Sequence, residues 1–302
     1  MRSILPATIL CAALGAGSLV GAAEEPGCNA PKIRKKTFAF RIYDRTTIRS
    51  NPTTQIAISV KQWPGQTFLL WMPEDVPPLW NQWTASVAHQ DFSKTKRGGY
   101  RWSFTKKPGA VITAELIPRE ESLLLEVRVT NRGNKPLKNV MAQNCLHFSQ
   151  APAFACDDFS RIHIRTGGAW KRLSELDPKA GLPMYYRPGF LEEKRRDSWG
   201  GGNRHLVQKK RADHPLIVCT SKDARRAVAT VSADYECVYH NQGSKYLLCI
   251  HSHQAPLPLL APGKEKVFRQ CIYFVDGTVA DCVRAYDKDR KAGLFGEASK
   301  KK

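Results

Sequence analysis

Acidic residues are scarce in this chain: 27 Asp and Glu stand against 47 Lys and Arg in 302 residues, leaving a formal charge of +20 at pH 7. That excess points to an anionic partner, namely an acidic glycan, a membrane surface or nucleic acid. Long apolar runs are equally scarce. Only Ile4 to Val20 approaches the length of a hydrophobic segment, and no later stretch reaches the ~18 apolar residues that span a bilayer. No Cys-x-x-Cys spacing occurs among the nine cysteines, so neither a zinc ribbon nor a thioredoxin-like motif is supported. The absence of a fixed-period repeat disfavours solenoids and propellers, and the absence of low-complexity tracts, with 42% hydrophobic residues, disfavours disorder.

The one apolar run has an address. It follows Arg2, ends in Gly21-Ala22-Ala23 and meets Glu24-Glu25, the layout of a secretory leader cleaved after Ala23. The expected organisation is a leader over 1–23, a linker over 24–35, a β-sandwich domain over 36–293 and a basic tail over 294–302. The expected location is secreted or periplasmic. Removing the leader takes Arg2 with it and leaves +19. Eight cysteines remain, at 28, 145, 156, 219, 237, 249, 271 and 282, an even number in an exported chain. Disulfides are permitted but not required at this length, and no pairing is assigned.

Between residues 36 and 275 the pattern has period two. In Ser122–Thr130, Leu123, Leu125, Val127 and Val129 face one way, and Leu124, Glu126, Arg128 and Thr130 the other, which reads as a half-buried antiparallel strand. The turn formers of 131–136 then lead into 137–148, and the two runs read as a hairpin. Similar runs occupy 36–43, 54–61, 66–72, 100–105, 110–117, 161–166, 215–220, 225–232, 235–240, 245–251 and 265–275. This many strands with little helix predicts an all-β fold, a large antiparallel two-sheet sandwich. One helix is expected at 278–291, opened by Thr278 with Asp281 three residues on, stopped at Gly293 and packed on the sandwich. Two segments read as loops: 73–97, with Trp80, Trp83 and His89, and 177–214, with Tyr185, Tyr186, Trp199, a glycine triplet, Arg204 and His205. The second is long enough to cover a cleft.

Alternation also nominates a site. On 140–148 it groups Gln143, Cys145 and His147 on the face opposite Val140, Ala142, Leu146 and Phe148, with Asn144 on the apolar side. On 245–253 it groups Cys249, His251 and His253. Imidazoles on such a floor suit acid and base roles or metal ligation. Asp158, with Arg161 beside it, is a candidate general base. Seven tryptophans, several in expected loops, suit pyranose rings, whose C–H faces stack on indole. The basic pairs are short and scattered, which argues against nucleic acid.

The hairpin Leu123–Phe148, with its Thr130-Asn131-Arg132-Gly133-Asn134-Lys135-Pro136 turn and its Asn144-Cys145-Leu146-His147-Phe148 ending, resembles the central region of galactose-mutarotase-like supersandwich proteins, over about a tenth of the chain. The segments His240-Asn241, Cys249-Ile250-His251, Leu260-Ala261-Pro262-Gly263 and Cys271-Ile272-Tyr273-Phe274 resemble exported bacterial proteins of the same build, which implies no particular activity. The mutarotase-like resemblance implies a sugar cleft on a sheet face, with His147 at the position of the hairpin histidine and His251 or His253 as the second. No counterpart of the family's late catalytic glutamate is found near the C-terminus.

The resulting expectation is an exported sandwich that binds or processes a carbohydrate, an acidic polysaccharide in particular. His147, His251 and Asp158 are its catalytic candidates, and Asn144, Arg161, Tyr186, Trp199, Arg204 and His253 its substrate-binding candidates. No metal site and no cofactor is assigned, and enzymatic status stays open. The alternatives are a non-enzymatic envelope or matrix binding module and a metal-binding exported protein, for which His147, His251, His253 and Asp158 are the available ligands.

Overall fold

In a computed structural model of the chain, the described residues are 36–48, 51–81, 91–106, 109–155, 158–176, 182–190, 205–241 and 248–295. Two nine-stranded sheets stack face to face. The first runs, in spatial order, Phe38–Ile48, Asn51–Val60, Thr67–Val76, Gln143–Gln150, Cys249–Gln254, Tyr235–Asn241, Leu182–Tyr186 and His205–Val207, with Trp80–Asn81 paired to Thr67–Val76. The second runs Ala169–Arg172, Ile162–Thr166, Ile217–Thr220, Arg226–Ser232, Glu265–Asp276, Ser122–Asn131, Ala110–Pro118, Tyr100–Lys106 and Ser93–Lys94. Among the described residues every pairing is antiparallel except that of Leu182–Tyr186 with His205–Val207. The all-β, two-sheet expectation holds.

Alternation supplies the core. Ile56, Ile58, Phe68, Leu70, Leu146, Phe148, Val238 and Ile250 from the first sheet meet Ile112, Leu116, Leu125, Val127, Val228, Ile272 and Phe274 from the second. Trp63, Phe68, Phe148, Phe154 and Phe274 cluster at its centre, with Phe68 lying 5.2 Å from both Phe154 and Phe274 in edge-to-face contact. The geometry favours the ring quadrupoles as well as area burial. Trp63 Nε1 donates to Asp276 Oδ1 at 2.6 Å, and Lys36 pairs with the same carboxylate. This ties the chain entering the first sheet to the end of the longest strand of the second.

The expected hairpin is corrected. Ser122–Asn131 pairs with Ala110–Pro118 and Glu265–Asp276 in one sheet, while Gln143–Gln150 lies in the other. What alternation reads as a single strand, 137–148, is broken at Met141-Ala142: Leu137–Val140 pairs with Leu257–Leu260 in a separate two-stranded ribbon. The crossing is held by Asn131, whose Nδ2 donates to the carbonyls of Lys135 and Leu260 at 2.9 Å and whose Oδ1 accepts from Gly133 N at 3.0 Å. The chain therefore passes between sheets at this point. Both expected loop segments also carry strands, namely Trp80–Asn81 and Ser93–Lys94 in the first, and Leu182–Tyr186 and His205–Val207 in the second. The run Leu182–Tyr186 follows no clean alternation because it is covered on both faces, with Tyr185 and Tyr186 both buried.

The helix Val279–Lys291 starts at Thr278, whose backbone N–H is accepted by Asp281 Oδ2 at 2.8 Å. It buries Cys282 and Tyr286 against Val218, Ala229 and Val231 on the outer face of the second sheet. Asp289 accepts both guanidinium nitrogens of Arg119, at 2.5 and 2.9 Å, and the Tyr273 hydroxyl at 3.1 Å. A bidentate pair of this kind fixes the helix in orientation as well as position.

Candidate functional site

The site lies on the face of the first sheet turned away from the sandwich core, and register builds it. His147 is opposite Cys249 across one strand pair, and Cys145 is opposite Trp71 across the other. One strand further, Tyr239 is opposite His251 and Cys237 is opposite His253. Tyr186 in turn stands opposite Cys237. Side chains two apart share a face, so Trp71, Cys145, His147, Cys249, His251, His253, Tyr239 and Tyr186 form one surface. All are buried, His147 and His253 to 1% exposure.

A bulge completes it. Between the pairs Gln143/Asp75 and Cys145/Trp71 the strand Thr67–Val76 carries extra residues, which re-aim the side chain of Glu74. Gln143 Nε2 donates to Glu74 Oε2 at 2.6 Å and to the Tyr239 hydroxyl at 2.9 Å, and Gln143 Oε1 lies 3.0 Å from His253 Nε2. On the far side of His253, Nδ1 is 3.6 Å from Oε2 of the fully buried Glu236. Glu74 Oε2 is 3.9 Å from His251 Nδ1. The Tyr239 ring stacks on His251 with centroids 4.2 Å apart and planes within 6°. Gln143 is thus the hub of a buried polar string that runs Glu74, Gln143, His253, Glu236.

The opposite edge of His251 meets sulfur. Its Nε2 is 3.0 Å from Cys249 Sγ and 3.4 Å from Cys145 Sγ. Burial raises the Cys145 thiol well above its ordinary range, and the neighbouring Cys249 and Glu74 add to the shift. Burial raises the Tyr239 phenol as well, with Glu74 adding to it. His147 packs edge-on to Trp71 at 4.0 Å, and burial pushes its proton affinity down to about 3. Its buried Nε2 has no hydrogen-bond partner among the described residues.

The sequence-nominated residues divide accordingly. His147, His251, His253 and Tyr186 share this face. Asn144 points into the sandwich instead, its Nδ2 donating to Gln270 Oε1 at 2.7 Å, and Gln270 continues to Thr230 Oγ1 at 2.6 Å. That buried string links the two sheets. Asp158 is exposed in a turn, where its Oδ1 accepts from the backbone and hydroxyl of Ser160 at 3.0 and 2.6 Å. Arg161 donates to the Ala155 carbonyl beside that turn. Trp199 and Arg204 lie outside the described residues, as do Trp83 and His89. Of the other tryptophans, Trp63, Trp80 and Trp102 are core and Trp170 packs near the helix, so Trp71 alone of the described indoles joins this face.

Reasoning from alternation misses Glu74, Glu236 and Tyr239. Tyr239 was reachable: it shares a face with Cys237, and the short connection after 241 implies a pair with the strand of His251. Glu74 was not, because strict alternation from Trp71 aims residue 74 at the core and only the bulge reverses it.

No family model matches the chain, and no curated protein matches it. Among solved structures it is similar to a galactose mutarotase related enzyme from Lactobacillus acidophilus, at 10% identity and a TM-score of 0.44, over 79% of this chain and 99% of that one. It is also similar to an aldose epimerase homologue from C. elegans, at 9% identity and a TM-score of 0.41, over 80% and 100%. An α-N-acetylgalactosaminidase from Bifidobacterium bifidum gives 12% identity and a TM-score of 0.46, over 83% of this chain and 37% of that one. Galactose-mutarotase-like proteins, the group that the central segment resembles in sequence, are thus found among the structural neighbours, at a level of similarity that assigns no activity.

Proposed function

We propose that the protein is exported and binds or processes a carbohydrate, an anionic one in particular, on the outer face of the first sheet. The observation that carries this reading is the string Glu74, Gln143, His253 and Glu236, flanked by Trp71 and Tyr239. A sheet face built only for packing would hold Val, Leu and Ile. Here it holds alternating donors and acceptors beside aromatic rings, the combination that matches the hydroxyls and the C–H faces of a pyranose. At the end of this face the buried Tyr186 stacks on the half-buried Phe190 at 5.5 Å, and the Arg187 guanidinium sits 5.7 Å over the same Phe190 ring. A cation over an aromatic platform at the solvent edge suits a carboxylated or sulfated sugar, as does the surplus of Lys and Arg.

For processing, the carboxylate and imidazole pairs of this string are Glu236 with His253, 3.6 Å apart, and Glu74 with His251, 3.9 Å apart. Both separations exceed a hydrogen bond, and this favours the second reading, a binding module without turnover. An array of neutral and acidic polysaccharides separates the readings. Retention of acidic glycans that weakens as salt rises is expected, because exposed charges are screened over ~8 Å at physiological ionic strength. Release of a changed sugar identifies an enzyme, and unchanged sugar identifies a module. Export is checked by sequencing the mature N-terminus, where Glu24 is expected as the first residue. An intact Met1 form retained in the cytoplasm of the native host would overturn the export reading.

A further inference from the structure

We infer that Cys145, Cys249 and His251 form a binding site for a thiolate-preferring transition ion, with zinc in first place. The three donor atoms lie within 4.8 Å of one another, and all three residues are buried. Two sulfurs converge on one nitrogen, His251 Nε2, at 3.0 and 3.4 Å. A neutral imidazole nitrogen has one lone pair or one proton, so it bonds one of these sulfurs and not both, and among the described residues the other thiol has only the weak sulfur partner beside it. A cation at their centre satisfies all three. Tetrahedral zinc, with Zn–S near 2.3 Å and Zn–N near 2.05 Å, sets sulfur and nitrogen ligands about 3.5 Å apart, within about half an ångström of both distances found.

The surroundings suit a metal ligand. The His251 ring is held by the Tyr239 stack, and its other nitrogen faces Glu74 at 3.9 Å, longer than a hydrogen bond but on the side from which a carboxylate orients a metal-bound imidazole. Cys249 and His251 come from one strand and Cys145 from its neighbour, so the geometry is set by sheet register and not by a loop. On binding, each thiol gives its proton to solvent, and two thiolates balance the charge of a divalent ion. Three protein ligands leave zinc a fourth position. The inference does not depend on the sugar reading, because its probes are metal ions and its readouts are metal content and thiolate absorption.

Purified protein, reduced and freed of metal by chelation, is titrated with Co2+ and then Zn2+. One Co2+ per chain is expected, with near-ultraviolet thiolate-to-cobalt charge-transfer bands and visible bands of tetrahedral intensity, all abolished by one equivalent of Zn2+. Cys249→Ser and Cys145→Ser should each lose the stoichiometric ion, and Glu74→Gln should weaken binding about tenfold while keeping the bands. A second measurement covers variants that fail to fold: in the wild-type chain Zn2+ should slow alkylation of Cys145 and Cys249, read peptide by peptide, and leave Cys219 and Cys271 unaffected. Absence of charge-transfer bands in the reduced wild-type chain, or equal alkylation of Cys145 and Cys249 with and without Zn2+, overturns the site. A Cys145–Cys249 disulfide that forms in air and leaves no metal binding after its reduction overturns it too.

Discussion

Phe68→Ala is expected to destabilise the fold by about 3–5 kcal/mol, the range for deleting a fully buried aromatic. Phe68 is 0% exposed and stands between Trp63, Phe148, Phe154 and Phe274, four rings from both sheets and the segments joining them. Its loss removes apolar contact on every side, and the neighbouring rings are too rigid to collapse fully into the space. Against a total stability of about 5–15 kcal/mol for a typical domain, that is a large fraction. Urea denaturation should show a lower midpoint with an unchanged slope. A loss below about 1 kcal/mol would mean that the aromatic cluster is not the centre of the core.

Acid should act through His240. Its ring is fully buried on the core side of Tyr235–Asn241, edge-on to Phe159 at 5.4 Å, and neither ring nitrogen has a hydrogen-bond partner among the described residues. Burial pushes its proton affinity from the ordinary 6.5 down to about 3. In this window the unfolded chain binds a proton that the folded chain does not. Stability is therefore fully present above about pH 6.5 and is lost as pH falls toward about 3, at up to about 1.4 kcal/mol per pH unit from this residue. His147, likewise pushed to about 3 by burial, adds a term of similar size and the same sign, and His163 and His214, held near 4 chiefly by burial and partly solvated, add smaller ones. Urea midpoints measured from pH 7 to pH 4.5 should fall, and His240→Leu should fall less steeply by about that increment. Equal slopes in the two proteins would show that His240 is solvated or paired in the folded state.

Side-chain alternation carried much of the architecture. It is a local property, and it placed Leu123, Leu125, Val127 and Val129 on a core face and set Gln143, Cys145 and His147 opposite Leu146 and Phe148. Strand partners are not local. The Asn131 crossing sends two sequence neighbours to different sheets, and nothing in a period-two pattern distinguishes that from a hairpin. The site shows the same division. Cys249, His251 and His253 read as one face because they are two apart, whereas Glu74 depends on a bulge and Glu236 on burial beneath His253, which only the folded neighbours define. Asp158 illustrates the opposite ambiguity: an Asp beside an Arg in a turn has a local role, here with Ser160, that sequence does not tell from a chemical one.

Sugar binding at the Gln143 hub is tested most directly by titration calorimetry of an acidic glycan retained on the array against the wild-type chain, Gln143→Leu and Leu259→Ser. Leu259 is exposed on the separate two-stranded ribbon and serves as the control. Saturable binding by the wild type is expected, weakened about tenfold or more in Gln143→Leu, the equivalent of about one lost hydrogen bond, and unchanged in Leu259→Ser. Equal affinity in all three proteins would contradict the account by placing the ligand elsewhere, and no heat of binding with any glycan would contradict the carbohydrate reading itself.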